Sequence, residues 1–397
     1  MKRRDPFSCI GREWGNAILG GAAQSPESLH IWIQLAAIRE SVFTNLKRSV
    51  AVDDIDMAHV PHIRFVLDPR AVAWPDLEDL DESDIEREPR RFVGGRNSWI
   101  AQSFLRLRGS IEARGWRASA GPDFIPGTIS IVHRDDMNRF ASDGHASYLV
   151  VVRADRAPVA ACDLAIAQNA LRLAGNERFV PLWPQPGLVP RDPSRGARVE
   201  RIAYHGRTGT APAWFRDHEF HRSLARRGIE FDVREAGWEL YRDVDVALAV
   251  REELPGVLAT KPATKIYNGW LSRVAVLASP EPAYREVRRA PLDFLEVNDA
   301  HDLLQAVDLL RANPRLYEAM VANGWRRSLE FNVEATRARW LALLDSEVVP
   351  AFLRSRSRLA SRHPWFIAAM LRQKIASRVH RSRLAYQHMA GLRAAVT

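Results

Sequence analysis

Between Pro181 and Arg198 the chain reads PLWPQPGLVPRDPSRGAR, where five prolines and two glycines leave room for neither a continuing helix nor a central strand. An alternating series of elements stands on each side of this break. Before it, buried strands are predicted at 62–68, 128–133, 148–153 and 164–168, with a helix at about 97–114 and an acidic, loop-like stretch at 76–88. After it, strands are predicted at 201–204, 229–233, 244–250, 274–278 and 293–297, and helices at 218–227, 263–271, 300–311, 316–328 and 333–346. Strands alternating with crossover helices pair in parallel, so the expected fold class is α/β: two Rossmann-like, doubly wound domains facing each other across a cleft, with helical extensions at both ends. The expected division is an N-terminal extension at 1–60, with one helix near 26–48, a first domain at 61–190, a second at 191–345 and a basic helical tail at 346–397. In such sheets a ligand sits outside the carboxyl ends of the strands.

The 397 residues are 46% hydrophobic and 26% charged, as in a soluble globular protein, and no run approaches the roughly 20 apolar residues of a membrane span. The start, Met-Lys-Arg-Arg-Asp-Pro-Phe, lacks an apolar core segment, so no secretory signal is expected. Cys9 and Cys162 alone make neither a disulfide framework nor a four-cysteine zinc site, and the cytoplasm is the expected compartment. The net charge of +9 belongs to the tail: residues 351–397 hold ten Lys and Arg and no acidic residue, and the remainder is close to neutral. This argues against a nucleic-acid partner. Trp365, Phe366, Ile367, Met370 and Leu371 lie among those cations, which suits either contact with an anionic membrane surface or a helix that packs back on the first domain.

The chemistry concentrates in Lys261-Pro-Ala-Thr-Lys265-Ile-Tyr-Asn268-Gly-Trp. Pro262 suits a first helical turn, whose free N–H groups together with Lys261 and Lys265 make a cationic end fit for a diphosphate. Asn268, three residues beyond Lys265, offers an amide to a ribose hydroxyl. The plainer reading is a surface helix with solvated lysines. In Arg201-Ile-Ala-Tyr-His-Gly206-Arg207-Thr208 a strand runs into a turn where Gly206 permits close approach of a ligand and Arg207 can fork onto a phosphate. His133, Asp135 and Asp136 follow a strand at its carboxyl end, where any of them could take a proton from an acceptor hydroxyl, or simply cap the next helix.

Residues 261–286 resemble the donor-site helix and following strand of GT-B-fold glycosyltransferases, whose pattern is approximately Lys-Pro-x-x-Lys-x-x-Glu-x-x-x-x-Gly-x-Pro-Val-Ile, then a turn and an Arg-Glu pair. Residues 298–324 are similar to the terminal helices of those domains, 201–208 to the opening strand and Gly-Arg turn, and Gly94-Gly95 to the glycine loop beside the reaction centre. The likeness covers 196–345 well and 90–190 more loosely. Asn268 stands where many relatives have a ribose-binding Glu, and Arg273-Val274-Ala275 replaces Gly-x-Pro. The resemblance, to bacterial sugar transferases of glycosyltransferase families 1 and 4, implies transfer of a hexose or related sugar from a nucleotide diphosphate sugar to a glycan, lipid-linked or cell-surface polysaccharide acceptor. It implies donor contacts at Gly206, Arg207, Lys261, Lys265, Asn268, Glu281 and Glu286, an acceptor-side loop at Gly94 and Gly95, and catalysis at His133, Asp135 or Asp136, with no metal or cofactor. Two alternatives stay open: a catalytically silent binding or scaffold subunit, suggested by Asn268 and Arg273, and a sugar-nucleotide epimerase.

Other signals point elsewhere. Asp243-Val-Asp245 is reminiscent of a metal-binding Asp-x-Asp, but it precedes its apolar run instead of ending it, as a strand entrance does. His218 and His221 lack the i, i+4 spacing of a zinc-protease helix, and Gly-x-Ser-x-Gly and the P-loop are absent.

Overall fold

The computed structural model describes residues 60–68, 74, 76–137, 144–171, 173–253, 255–375 and 378. Contacts group His59–Thr397 as one compact unit apart from Met1–Ala58, so the expected N-terminal extension and its helix near 26–48 lie outside the described residues.

The first sheet has six parallel strands: β1 (His62–Val66), β2 (Arg117–Gly121), β3 (Ile129–His133), β4 (Tyr148–Ala154), β5 (Leu164–Ala167) and β6 (Glu177–Phe179). Their order is β2-β1-β3-β4-β5-β6. The central strands are apolar on both faces, since every residue of β3 and β5 is buried, as in a parallel sheet covered on two sides. β2, with the sequence RASAG, sits at an edge where alternation and apolar content fade, and the sequence pattern did not announce it. Two helices precede β2: α1 (Glu82–Arg87) and α2 (Gly95–Glu112). The stretch expected as an acidic loop thus contains a helix, started by a capping box in which Asp81 accepts from Ser83 N–H and Asp84 accepts from Asp81 N–H.

The proline-rich segment carries the chain to a second parallel sheet of five strands: β7 (Arg201–His205), β8 (Glu230–Arg234), β9 (Val246–Ala249), β10 (Ala275–Ala278) and β11 (Leu295–Glu296), in the order β11-β10-β9-β7-β8. Its helices are α3 (His218–Arg226), α4 (Pro255–Leu258), α5 (Thr264–Leu271), α6 (Pro282–Val287), α7 (Ala300–Ala312) and α8 (Pro314–Ser328). Side chains start them: Asp217 caps α3, Asp299 caps α7, and Pro314 occupies the first turn of α8. The expected α/β architecture of two doubly wound parallel sheets is therefore present.

After α8 the chain returns to the first sheet through α9 (Val333–Leu343), a π-helical turn (Leu344–Val348) and α10 (Val349–Ser355). Trp340, Leu344 and Phe352 are buried in one core with Ile63, Phe104 and Val150. Arg114 clasps Asp345 at 2.8 and 2.9 Å, and Arg178 holds Glu347 at 2.8 Å, so the π-turn is pinned by charge as well as by packing. A helix over 363–375 follows, and Phe366 and Met370 enter a further core with Val66, Val132 and Val151.

Arg273 explains one departure from the sequence pattern quoted above. Its φ is +58°, a left-handed conformation in which glycine is at ease and an arginine is strained. The guanidinium lies 4.2 Å from the centre of the Trp325 ring, a contact that offsets part of that strain.

Candidate functional site

In an open parallel sheet the crevice forms where the strand order reverses. In the second sheet this is between β7 and β9, where Gly206 follows β7 directly and Arg251 stands two residues past the end of β9. In the first sheet the reversal lies at β1 and β3, and the loop after β1 leads into α2 through Gly94 and Gly95. These glycines have φ of +75° and +80°, and a Cβ on either would touch nothing, so the turn needs glycine for its backbone angles and not for space. A cleft of about 340 Å³ joins the two sheets, with Gly94 and Gly95 on one side and Lys265 and Asn268 on the other.

Lys265 is in the first turn of α5, whose cap residue Ala263 makes no side-chain hydrogen bond. Its Nζ is buried, has no hydrogen-bond partner among the described residues and stands 3.7 Å from the centre of the Tyr204 ring. Burial, reinforced by the nearby Arg251 cation, pushes the Lys265 ammonium well below its usual pKa, against the pull of Glu281 and Glu253. Gly206 closes the cage from the β7 side: a Cβ there would lie 2.8 Å from Tyr204 Oη and 2.9 Å from Lys265 Nζ. Behind the lysine, Arg251 Nη1 is 3.2 Å from Glu281 Oε2, and Glu281 Oε1 accepts from Ser279 Oγ at 3.0 Å. Burial raises the Glu281 pKa despite Arg251. Thr264 Oγ1, Lys265 Nζ and Glu253 Oε2 all lack hydrogen-bond partners among the described residues. Polar atoms are seldom left so in a dry interior unless something else is meant to meet them.

The other expected donor residues are placed differently. Lys261 reaches across to the first sheet, where its Nζ is 2.9 Å from Asp155 Oδ2, and it also stands 3.6 Å from Glu253. Thr260 Oγ1 donates to Asp155 O at 3.0 Å, and Asn169 Nδ2 to Lys261 O at 3.0 Å, so this stretch fastens the two sheets together. Arg207 is exposed beside Gly206, and Glu286 is exposed on α6, away from the cleft lining. Asn268 faces the cleft and its Oδ1 accepts Gln185 N–H from the linker at 3.3 Å.

None of His133, Asp135 and Asp136 is among the described residues lining the cleft. Asp135 N–H donates to His133 Nδ1 at 3.2 Å, and burial lowers the His133 pKa to about 4. Asp135 is 3.0 Å from Arg156 Nη2. Asp136 is fully buried 3.0 Å from Arg96 Nε, and Arg96 also holds Asp68 at 2.7 Å. The turn thereby fixes the entry of α2 directly behind Gly95.

The sequence reasoning missed Arg251, Glu253 and His205. Arg251 and Glu253 follow the apolar end of β9, the same signal that selected His133, and could have been found by it. His205, the last residue of β7, lines the cleft and stacks on Tyr241 at 4.2 Å. Its Nε2 lies 3.1 Å from Leu240 O, an acceptor, so Nε2 carries the proton. Burial, with Arg234 and Lys265 nearby, lowers its pKa to about 4. Asp243 and Asp245 belong to a strand entrance, as expected: Arg234 and Arg201 hold Asp243, and Arg191 and Arg195 hold Asp245. Among the described residues no group of three or more His, Cys, Asp or Glu is gathered as for a metal.

No protein-family model matches the chain, and no curated protein matches it. Solved structures similar to it include Anabaena HepE in complex with UDP and glucose, at 11% identity and a TM-score of 0.45 over 72% of this chain and 100% of that one. Sucrose-phosphate synthase from Thermosynechococcus elongatus matches at 12% identity and a TM-score of 0.44 over 71% and 98%, and a glycosyltransferase from Rickettsia africae at 10% and 0.40 over 72% and 97%. With TM-scores below 0.5, these likenesses add nothing to what the two sheets and the cleft show by themselves.

Proposed function

We propose that the protein is a GT-B-like glycosyltransferase that moves a sugar, of hexose type, from a nucleotide diphosphate sugar to a glycan, lipid-linked or cell-surface acceptor. The observation that carries this reading is Lys265: an enclosed amine without a hydrogen-bond partner among the described residues, at the strand-order reversal of one sheet, in a cleft also lined by the glycine turn of the other. A diphosphate there would meet Lys265 and the uncapped first turn of α5, and Gly206 would let it approach. Charge neutralisation of the departing nucleotide is the chemistry this arrangement supplies. Asn268 is the candidate ribose contact and Arg207 an exposed cation able to swing onto a phosphate, whereas Lys261 contributes by tying the sheets together. Removal of the acceptor proton by the turn at His133, Asp135 and Asp136 requires that turn to move to the cleft, which none of the three lines, and for Asp136 that Arg96 let go.

The direct test is to incubate the purified protein with a panel of nucleotide sugars and score released nucleoside diphosphate. Because the cation in this account is a lysine, turnover is expected to persist in excess chelator; complete loss with EDTA, restored by manganese or magnesium, would contradict it. A second reading, a silent nucleotide-binding subunit, is favoured by the lack of any carboxylate among the described cleft-lining residues. That subunit would bind nucleotide and release none.

The cytoplasmic, peripheral-membrane placement is also a proposal. No described helix is long and apolar enough to cross a membrane. In the helix over 363–375, Phe366 and Met370 are consumed by the core, but Trp365 is 52% exposed and Ile375 50%, with Arg372 and Lys374 exposed beside them. Each such cation is worth about 1 kcal/mol near an anionic surface. Cosedimentation with anionic liposomes is expected at low salt and to weaken with added salt. The variant W365A/R372E/K374E should lose it, since this change spares the buried residues; equal binding by the variant would remove this face from consideration.

A further inference from the structure

Helix α8 presents two different faces. On the inner one Tyr317, Met320, Gly324 and Ser328 are buried, and Tyr317 Oη donates to Asp245 O at 2.8 Å. A Cβ on Gly324 would lie 2.6 Å from Trp270 Cδ1, so glycine there lets the helix press onto that indole and fixes its attitude. On the outer face Glu318, Ala322, Trp325 and Leu329, the last just past the helix end, follow the i, i+4, i+7, i+11 spacing of one straight stripe. All four are exposed, Trp325 at 37% and Leu329 at 51%. Beside the stripe, toward the linker turn Pro193–Arg195, is a hollow of about 410 Å³ lined also by Pro193, Gly196 and Val321. This surface lies where the strands of the second sheet begin, since Arg273 stands two residues ahead of β10, and the cleft opens at the other ends.

The stripe carries opposite charges at its two ends. Arg273, exposed and 4.2 Å from the Trp325 ring centre, marks one end, and Glu318 marks the other, about 10 Å away along the helix. Both line the hollow, and neither side chain makes a hydrogen bond or an ion pair among the described residues. The left-handed backbone of Arg273 is a cost that glycine would avoid, and such strain is kept where a side chain has to be aimed. An acidic peptide would suit Arg273 and be repelled by Glu318, and a basic one the reverse. A small apolar molecule could fill the hollow but would give neither charge a partner. The same face turned half round meets both needs: with the axis near Ala322, each Glu318 stands against the Arg273 of the other copy, and each Trp325 comes to the hollow beside the other's Glu318. Ala322, at the crossing point, is small enough for the two helices to approach closely. A two-fold contact requires this kind of self-complementary patch. We infer that the outer face of α8 is a homodimer contact, covered by a second copy of this chain through two Arg273–Glu318 ion pairs. Such a dimer leaves both clefts open. One helix stripe and one hollow per copy fall short of a standard interface of about 1,600 Å², so the association is reversible.

The experiment is sedimentation equilibrium of the full chain across the micromolar range, with circular dichroism to confirm that each variant is folded. The parent is expected to pass from monomer to dimer as concentration rises, less readily in high salt. Glu318→Arg and Arg273→Glu each set like charges against one another at both symmetry-related contacts, and each is expected to weaken the dimer at least about tenfold. The combined variant E318R/R273E restores opposite charges and is expected to dimerise more tightly than either single one. Ala322→Arg, a change at an exposed position, should give a folded monomer by blocking the crossing point. A parent that stays monomeric throughout would overturn the inference and leave this face to another partner. A dimer of undiminished strength in Glu318→Arg and Ala322→Arg, or a double variant no tighter than the single ones, would overturn it as well.

Discussion

Replacing Lys265 with methionine is expected to raise the thermal stability of the protein while nucleotide binding is lost. The lysine sits in an enclosed cage with an unpartnered Nζ and a neighbouring arginine, so the fold bears the cost of dehydrating its amine. Removing it should be worth about 1–3 kcal/mol of stability. A charged hydrogen bond to a diphosphate contributes about 1.5–3 kcal/mol, so affinity should fall by roughly one to two orders of magnitude. The pH dependence gives the account a sign. Because the folded-state pKa is depressed, the unfolded chain binds the proton more readily and stability rises with pH through that window. The advantage of Lys265→Met is therefore expected to shrink as the pH climbs toward the ordinary lysine value of about 10.4. For the same reason, nucleotide binding by the parent should be accompanied by proton uptake, read by calorimetry in buffers of different ionisation enthalpy. A variant that is less stable and binds nucleotide normally would make Lys265 a plain structural residue.

Asp245→Ala is expected to have the largest effect on folding. Asp245 is fully buried at the entrance of β9, where it accepts from Arg191 at 2.8 and 3.0 Å, from Arg195 at 2.7 Å, and from the N–H groups of Glu200 and Arg201 at 2.8 and 3.0 Å. It joins the linker, β7 and β9 at one point. Burial alone would raise its pKa, but the hydrogen bonds from Arg195, Glu200 N–H and Arg191 outweigh that and lower it. Removing the carboxylate leaves Arg191 buried without its counter-charge, held only by Gly196 O and Arg198 O, which costs about 3–5 kcal/mol. The stabilisation is fully present above the unfolded value of about 3.9 and is lost as the pH falls through the lower folded value. Denaturant unfolding at neutral pH should show the loss, and the gap between parent and variant should close in acid. A deficit below about 1 kcal/mol would mean that the arginines find other partners.

Most of the second sheet was legible because each of its elements carries a local signal. Asp217 and Asp299 cap helices, Pro314 opens one, and the runs at β9 and β10 are continuous and apolar. β2 and β6 were not legible, being short edge strands stabilised by a neighbour's hydrogen bonds and not by a pattern of their own. α1 was hidden because acidic residues that look like a solvated loop instead cap a helix of only six residues. At the site, the sequence announced residue types at the correct strand ends but not their partners. Lys261 and Lys265 look equivalent along the chain, yet Asp155, more than a hundred residues away, claims one and leaves the other to the cleft. Asp136 was read as a possible base because nothing local reveals Arg96, which reaches it from the far side of the glycine turn. Such pairings are made by the topology, and only the folded chain displays them.

The central claim, that the cleft takes a nucleotide diphosphate sugar on Lys265, is tested most directly by calorimetric titration of the parent protein and of Lys265→Met with nucleoside diphosphates and their sugars. The account predicts that at least one nucleoside diphosphate binds the parent with proton uptake, and that the folded variant loses this affinity roughly ten- to hundredfold. Failure of every nucleotide to bind the parent, or binding of equal strength to the variant, would contradict it.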